Sequence, residues 1–288
     1  MKTINTILVA TLFLVLTSSI LTLTANAQCD VVDTLPGGGQ LVECNGNDNN
    51  GLQTTTLNDI VNMNQGSSIT GPDFISLSAG DDILNMNGAT IMLGPSINLS
   101  TGNDTMNVLD GSKIINTSGC INAASEDDTI IIDNAVLECG SAGVNGAAGN
   151  DIVELSNTTF TISNQGAHAV TTSNDDDQIT IGNRVLLVTN DAQSIDCGTG
   201  DDTLTFAMNV PAEQLASISA EIAAADPQAG SITINGYFYS WERCDELVNA
   251  LNTGPKNVPT LSQWGLITLA ALIGIFAVVV AKRRFQKN

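Results

Sequence analysis

The feature that most constrains this chain is a recurring Asp followed by an apolar-x-apolar triplet. The Asp stands at positions 59, 82, 104, 128, 151, 177 and 202, spaced 23, 22, 24, 23, 26 and 25 residues apart. The triplets are Val61/Met63, Leu84/Met86, Met106/Val108, Ile130/Ile132, Val153/Leu155, Ile179/Ile181 and Leu204/Phe206. A second apolar site precedes most of the Asp by seven residues (Ile75, Ile97, Ile121, Val144, Val170, Ile195). A third falls mid-repeat, at Ile69, Ile91, Ile114, Leu137, Phe160 and Val185. Each repeat therefore holds three short segments of period-2 alternation between Gly/Asn/Ser/Thr turns. One such segment cannot bury its apolar side alone, but repeats stacked at ~4.8 Å bury all of them in one core. The predicted fold is all-β: a three-faced parallel β-helix, or solenoid, of about seven coils over residues 58–210.

A stack of open coils exposes strand edges and needs a cap at each end. Residues 28–57 are expected to form the first, with Gly37-Gly38-Gly39 as a turn. The second, small and α/β, is expected over 211–252. Pro211 suits the first turn of a helix, and Leu215, Ile218 and Ile222 follow at helical spacing. Asn235-Gly236 between Ile232-Thr233-Ile234 and Tyr237-Phe238-Tyr239 is a hairpin signal. Asp245 to Leu251 reads as a further short helix, and 253–257 as a linker.

The two ends read as addresses. Residues 1–27 have the form of a secretory signal: Lys2, an apolar run from Ile7 to Leu23, and Ala25-Asn26-Ala27 before Gln28. Gln28 also argues against a lipoprotein at Cys29, because a small residue is needed there. Near the other end, Leu266 to Ala281 is an uncharged run of 16 residues, ~24 Å as helix, preceded by Trp264 and followed by Lys282-Arg283-Arg284. This predicts a transmembrane helix over 266–281 with its basic tail in the cytoplasm. Before it stand Val258, Pro259, Thr260, Leu261, Ser262, Gln263, Trp264 and Gly265. The segment 258–288 resembles the IPTLxxWG-CTERM sorting signal of Gram-negative bacteria, with Val258 in place of Ile. The resemblance implies export, membrane anchoring through the helix, recognition by an exosortase-type enzyme, and a final location at the cell surface or outside it.

Composition narrows the partners. Residues 28–257 hold only Lys113, Arg184, Arg243 and Lys256 against all thirty Asp and Glu. So acidic a body repels phosphate backbones, which excludes nucleic acid as a partner. The six Cys all lie in the exported part, where disulfides form. The repeat register favours Cys120–Cys139, stacked near the third face of consecutive coils, with Cys29–Cys44 and Cys197–Cys244 stapling the caps.

The strongest candidate for chemistry is the Asp column itself. Gly198-Thr199-Gly200-Asp201-Asp202-Thr203-Leu204 resembles the GxGxDxU core of a calcium-binding nonapeptide repeat, and Gly80–Leu84 and Gly149–Val153 match it in part. That resemblance implies Ca2+ at Asp59, Asp82, Asp104, Asp128, Asp151, Asp177 and Asp202, through carboxylates and turn carbonyls of adjacent coils. The competing reading is that Asp and Asn close Asx turns before each strand. Two carboxylates 4.8 Å apart on a solvated corner repel by only ~0.9 kcal/mol, so the column does not demand a cation. Nonapeptide rolls repeat every nine residues with two faces, and the period near 23 separates this body from them. No catalytic residue is assigned: Asp pairs recur at one corner of every coil, and His168 has no nucleophile spacing and reads as a turn residue. The expected role is structural or adhesive, with the outward positions Asn62, Asn85, Asn107, Ile131, Glu154, Thr180 and Thr205 as a face for surface polysaccharide or simply a solvated one. The alternative is a carbohydrate-active β-helix enzyme, a polysaccharide lyase or glycosidase.

Overall fold

The computed structural model describes residues 29–190 and 193–253. The signal segment 1–27, most of the linker, the sorting signal 258–288 and the predicted membrane helix 266–281 lie outside the described residues. Among the described residues no helix is long and apolar enough to cross a membrane.

The body is a parallel β-solenoid of about seven turns with three sheets. The first sheet stacks the strands that follow the repeated Asp, from Ile60–Met63 through Ile83–Asn87, Thr105–Leu109, Thr129–Asp133, Ile152–Ser156 and Gln178–Ile181 to Thr203–Phe206. The second runs from Asn47–Asp48 to Leu186–Asn190, and the third is built of two-residue strands such as Ile97–Asn98 and Ile121–Asn122. Register is strict. Leu84 pairs with Met106, Met106 with Ile130 and Ile130 with Val153, so like positions stack on like. The inward column of each sheet is fully buried: Met86, Ile91 and Ile97 from one coil all have 0% exposure.

Glycine is favoured at one corner. Residues two before the repeated Asp take positive φ in every coil from Gly80 to Gly200. A Cβ on Gly102 would lie 2.0 Å from the Gly80 carbonyl oxygen, and on Gly200 1.9 Å from that of Asp175. Glu126 and Asp175 occupy the same position with φ of 70° and 73°, a left-handed conformation acidic side chains tolerate better than β-branched ones. The G-D-D and G-N-D signatures thus mark where one coil's backbone lies hard against the next.

The segment expected as the amino-terminal cap contains more than a cap. Cys29–Thr34 and Gln40–Cys44 form an antiparallel hairpin closed through Leu35–Gly39. Gln40–Cys44 then pairs parallel with Ile60–Met63, so coiling begins at residue 40. At the other end, helix Ala212–Ala224 buries Ile218 and Ile222. The hairpin Ala229–Ile234/Tyr237–Glu242 turns at Asn235-Gly236 and adds to the third sheet. Tyr239, Trp241 and Phe206 plug the end of the core, with the Phe206 ring 5.9 and 5.7 Å from the other two. Trp241 Nε1 donates to Asp226 O and Tyr239 Oη to Val185 O, both at 3.0 Å.

Three expectations need correction. Residues 245–251 do not form a helix: Glu246–Asn249 is a strand parallel to Thr203–Phe206, because the open first sheet offers an unsatisfied edge that outweighs helical spacing. In the last coil the mid-repeat partner of Phe160 is Leu187, not Val185. Val185 instead fills the corner that Ser67, Ala89, Ser112, Ala135 and Thr158 occupy in other coils. The disulfides are Cys29–Cys44, Cys120–Cys139 and Cys197–Cys244. However, Cys139 ends a second-sheet strand while Cys120 precedes a third-sheet one, so that bond crosses a corner rather than running down one face.

Cys197–Cys244 closes the longest loop, 47 residues against 19 for Cys120–Cys139. On loop entropy its removal costs about 4 kcal/mol and that of the shorter loop about 3. Denaturant melts of the two double-Ala variants are expected to rank in that order.

Candidate functional site

The seven repeated Asp form one continuous column at the corner where the third face turns into the first. Each is 1% exposed. The column is built by hydrogen bonds between coils. Asp82 Oδ1 accepts from Asp59 N at 2.6 Å, Asp104 Oδ1 from Asp82 N at 2.7 Å and Asp128 Oδ1 from Asp104 N at 2.7 Å. Asp151, Asp177 and Asp202 continue it at 2.9, 2.7 and 2.9 Å. The same Asp carbonyls accept from the following coil's strand, as in Thr105 N to Asp82 O at 2.8 Å. Both backbone groups of each column residue are therefore spent on the next coil. The ends are sealed too: Asp59 Oδ1 accepts from Gln40 N and its Oδ2 from Thr55 N and Oγ1, while Asp202 N donates to Asp245 Oδ2.

A second column runs beside the first on the exposed side, and its bonds point the other way. Asp81 N donates to Asn58 Oδ1, Asn103 N to Asp81 Oδ1 and Asp127 N to Asn103 Oδ1, each at 3.0 Å. Asn150, Asp176 and Asp201 extend it at 2.8, 3.0 and 2.9 Å. Each turn is thus tied upward by one side chain and downward by its neighbour.

The other oxygen of the buried column is in a different state. Oδ2 of Asp82, Asp104, Asp128, Asp151, Asp177 and Asp202 is buried with no hydrogen-bond partner. It faces inward: a Cβ on Gly146 would lie 2.3 Å from Asp151 Oδ2, and the residues at the equivalent place include Leu77, Leu99 and Ala123, all fully buried. Burial accordingly raises these carboxyls well above their ordinary range. Asp82 and Asp104 are pushed up to about 7, Asp128 and Asp177 to about 8, and Asp151 and Asp202 to about 6. Loss of water is the largest cause. The donated backbone N–H opposes it, and nearby carboxylates add to it.

The outward polar faces are largely self-satisfied. Asn85 Nδ2 donates to Asn62 Oδ1 at 2.9 Å and Asn107 Nδ2 to Asn85 Oδ1 at 2.8 Å, and a similar ladder joins Asn98, Asn122 and Asn145. A concavity lies at the corner between the first and second sheets. A cleft of about 480 Å3 is lined by Asn157, Asn183, Arg184, Asn209, Asn235 and Tyr237. A hollow of about 300 Å3 shares Asn183 with it and carries Asp133 and Glu154. Asn157 Nδ2 bonds Asp133 Oδ1 at 2.8 Å, linking the two. The sequence carried a signal for this cleft, since residues 157, 183, 209 and 235 are all Asn at intervals of 26. It was hidden by the stronger Asp period.

Residues 258–284 match the IPTL-CTERM motif family. That signal implies an exported cell-surface protein of a Gram-negative bacterium, sorted by an exosortase-type enzyme. No curated protein and no solved structure matches the chain.

Two outcomes test the column. Because the native carboxyls hold protons that an unfolded Asp releases near pH 4, stability is full below that value and declines as pH rises through about 6–8. The melting midpoint is therefore expected to fall between pH 5 and pH 8.5, where a flat profile would contradict the burial described. Asp128→Asn keeps the acceptor for Asp104 N but exchanges the buried carboxyl for two unpartnered N–H donors, so at pH 8 it should lose less stability than Asp128→Ala. Asp128→Ala orphans that N–H and should cost about 1–3 kcal/mol.

Proposed function

We propose that this is a structural, adhesive surface or extracellular-matrix protein whose β-solenoid presents the Asn-lined cleft to a polysaccharide. The observation that carries this reading is Arg184. It is one of four basic residues in an acidic body, it makes no ion pair among the described residues, and it lines the cleft. A guanidinium with unspent donors recognises carboxylate or sulfate bidentately, and the surrounding Asn amides and Tyr237 suit sugar hydroxyls and ring faces. The favoured ligand class is therefore an anionic glycan, such as a polyuronate. Asn183 and Asn235 are held partly by backbone bonds: Asn209 N donates to Asn183 Oδ1 and Asn235 Nδ2 to Asn209 O, each at 2.8 Å. That ordering lowers the entropy cost of binding.

Two further readings have specific support. Asp133 and Glu154 both line the adjoining hollow, and since a glycosidase needs two carboxylates at one concavity, the enzymatic alternative is better placed there than at the repeated Asp corner. The six unpartnered Oδ2 atoms are the oxygens a calcium column would use, but they face apolar side chains, so a hard cation there would need the coils to open toward solvent.

Binding to polyuronate, measured by calorimetry against a neutral glucan, is expected to be selective for the acidic polymer. Arg184→Ala should weaken it about 10- to 100-fold. Equal binding by the variant removes this reading, and release of short oligosaccharides on incubation would instead support the enzyme. A calcium column predicts a melting midpoint roughly 5–10 °C higher in saturating Ca2+ than in EDTA, with no such rise in Mg2+.

A further inference from the structure

At the carboxy-terminal end of the third sheet, three successive layers bring together an imidazole and two carboxylates. Asp196 pairs with Glu242 in the layer above and with Thr171 in the layer below, and His168, three residues before Thr171, brings its ring to both carboxylates. His168 Nε2 lies 3.7 Å from Asp196 Oδ2 and 3.5 Å from Glu242 Oε1. The three candidate ligand atoms fall within 4.8 Å of one another. We propose that this is a zinc site that clips the cap to the last coils.

The ring's other nitrogen carries the argument. Nδ1 sits 2.7 Å from the Gln193 carbonyl oxygen, which can only accept, so Nδ1 bears the proton. In the neutral ring Nε2 then presents a lone pair directly to two carboxylate oxygens. That arrangement calls for a positive charge at Nε2, either a second ring proton or a metal ion held between the three groups. The separations are too long for direct N–H···O bonds, which run about 2.7–3.2 Å. They are close to the ~3.3 Å edge of a tetrahedron with Zn–N and Zn–O bonds of about 2.0–2.1 Å. A zinc-ligating imidazole characteristically donates its second N–H to a carbonyl or carboxylate, as His168 does.

The surroundings offer three protein ligands and leave the fourth position to water. Asp196 is 4% exposed and is held by Arg243, whose Nε donates to Oδ1 at 2.7 Å and whose Nη2 bonds Oδ2. A carboxylate has about four lone-pair sites, so this fork leaves Oδ2 able to take a metal. With neutral His168, the two carboxylates and Arg243 sum to one net negative charge, which a divalent cation reverses. The side chains of His168 and Glu242 are 20% and 33% exposed, so the ion has a path in and room for a water as fourth ligand. Asp196 and Arg243 also immediately precede the bonded Cys197 and Cys244, so metal and disulfide would staple the same two layers.

The test is equilibrium dialysis of the metal-free protein against Zn2+ at pH 7.5 with metal analysis, alongside thermal melts. One Zn2+ per chain is expected in the parent, with a midpoint several degrees higher that Ca2+ and Mg2+ do not reproduce. His168→Ala should lose both the bound zinc and the shift. Glu242→Gln, at a more exposed position, supplies the same comparison should the first variant fold poorly, and should weaken binding at least tenfold. The proposal is overturned if the parent binds no zinc, or if both variants bind as much as the parent. It is also overturned if His168→Ala lowers the midpoint equally with and without zinc, which would mark an imidazolium–carboxylate cluster instead.

Discussion

The interaction on which the rest of this structure depends is the bond from each Asp backbone N–H to the side chain of the Asp one coil later. A parallel sheet alone fixes the strands but leaves the turns between them with unpaired backbone groups. At this corner the strand is about to begin and the chain has just passed through two left-handed residues, so no ladder partner is available. The Asp column supplies one in every coil. It also sets the register: a one-residue slip would move Asp104 away from Asp82 N and turn Leu84, Met86 and their equivalents to solvent.

The same bond explains why a side chain with a cost is kept at a buried position. Oδ1 is well used, while Oδ2 faces the core with nothing to bond. An Asn would spare the charge but would bring two N–H donors to the place where Leu77, Leu99 or Ala123 lie. A protonated Asp brings one. The elevated proton affinities of Asp82 through Asp202 are thus the consequence of using a carboxyl as an internal peptide-group substitute. Coil length matters little to this arrangement, since spacings from 22 to 26 all return the Asp to the same column, with the extra residues absorbed at other corners.

Much of the architecture was legible in the sequence because each coil repeats the same three apolar columns and the same polar corner. Val61/Met63 and their successors announce the first sheet, and Asn235-Gly236 announces the cap hairpin. What was not legible depends on the edges and the ends. Residues 245–251 carry helical spacing, yet an exposed edge at Thr203–Phe206 recruits them as a strand. The inward turn of Oδ2 is equally invisible, because an Asp in a Gly-rich turn reads the same whether its free oxygen faces water or Leu77. His168, Asp196 and Glu242 are separated by 28 and 46 residues, and only the stacking of three layers, one of them in the cap, brings them together.

The exposed column has its own consequence. From Asn58 to Asp176 it alternates Asn and Asp, and the hydrogen-bond pattern is indifferent to which stands where, since either offers Oδ1. Charges therefore fall on every second coil, about 9–10 Å apart at strand spacing. That is close to the Debye length in physiological salt, about 8 Å. Alternation halves the line charge of this corner, so less repulsion between coils is unmasked when dilution lengthens the screening distance.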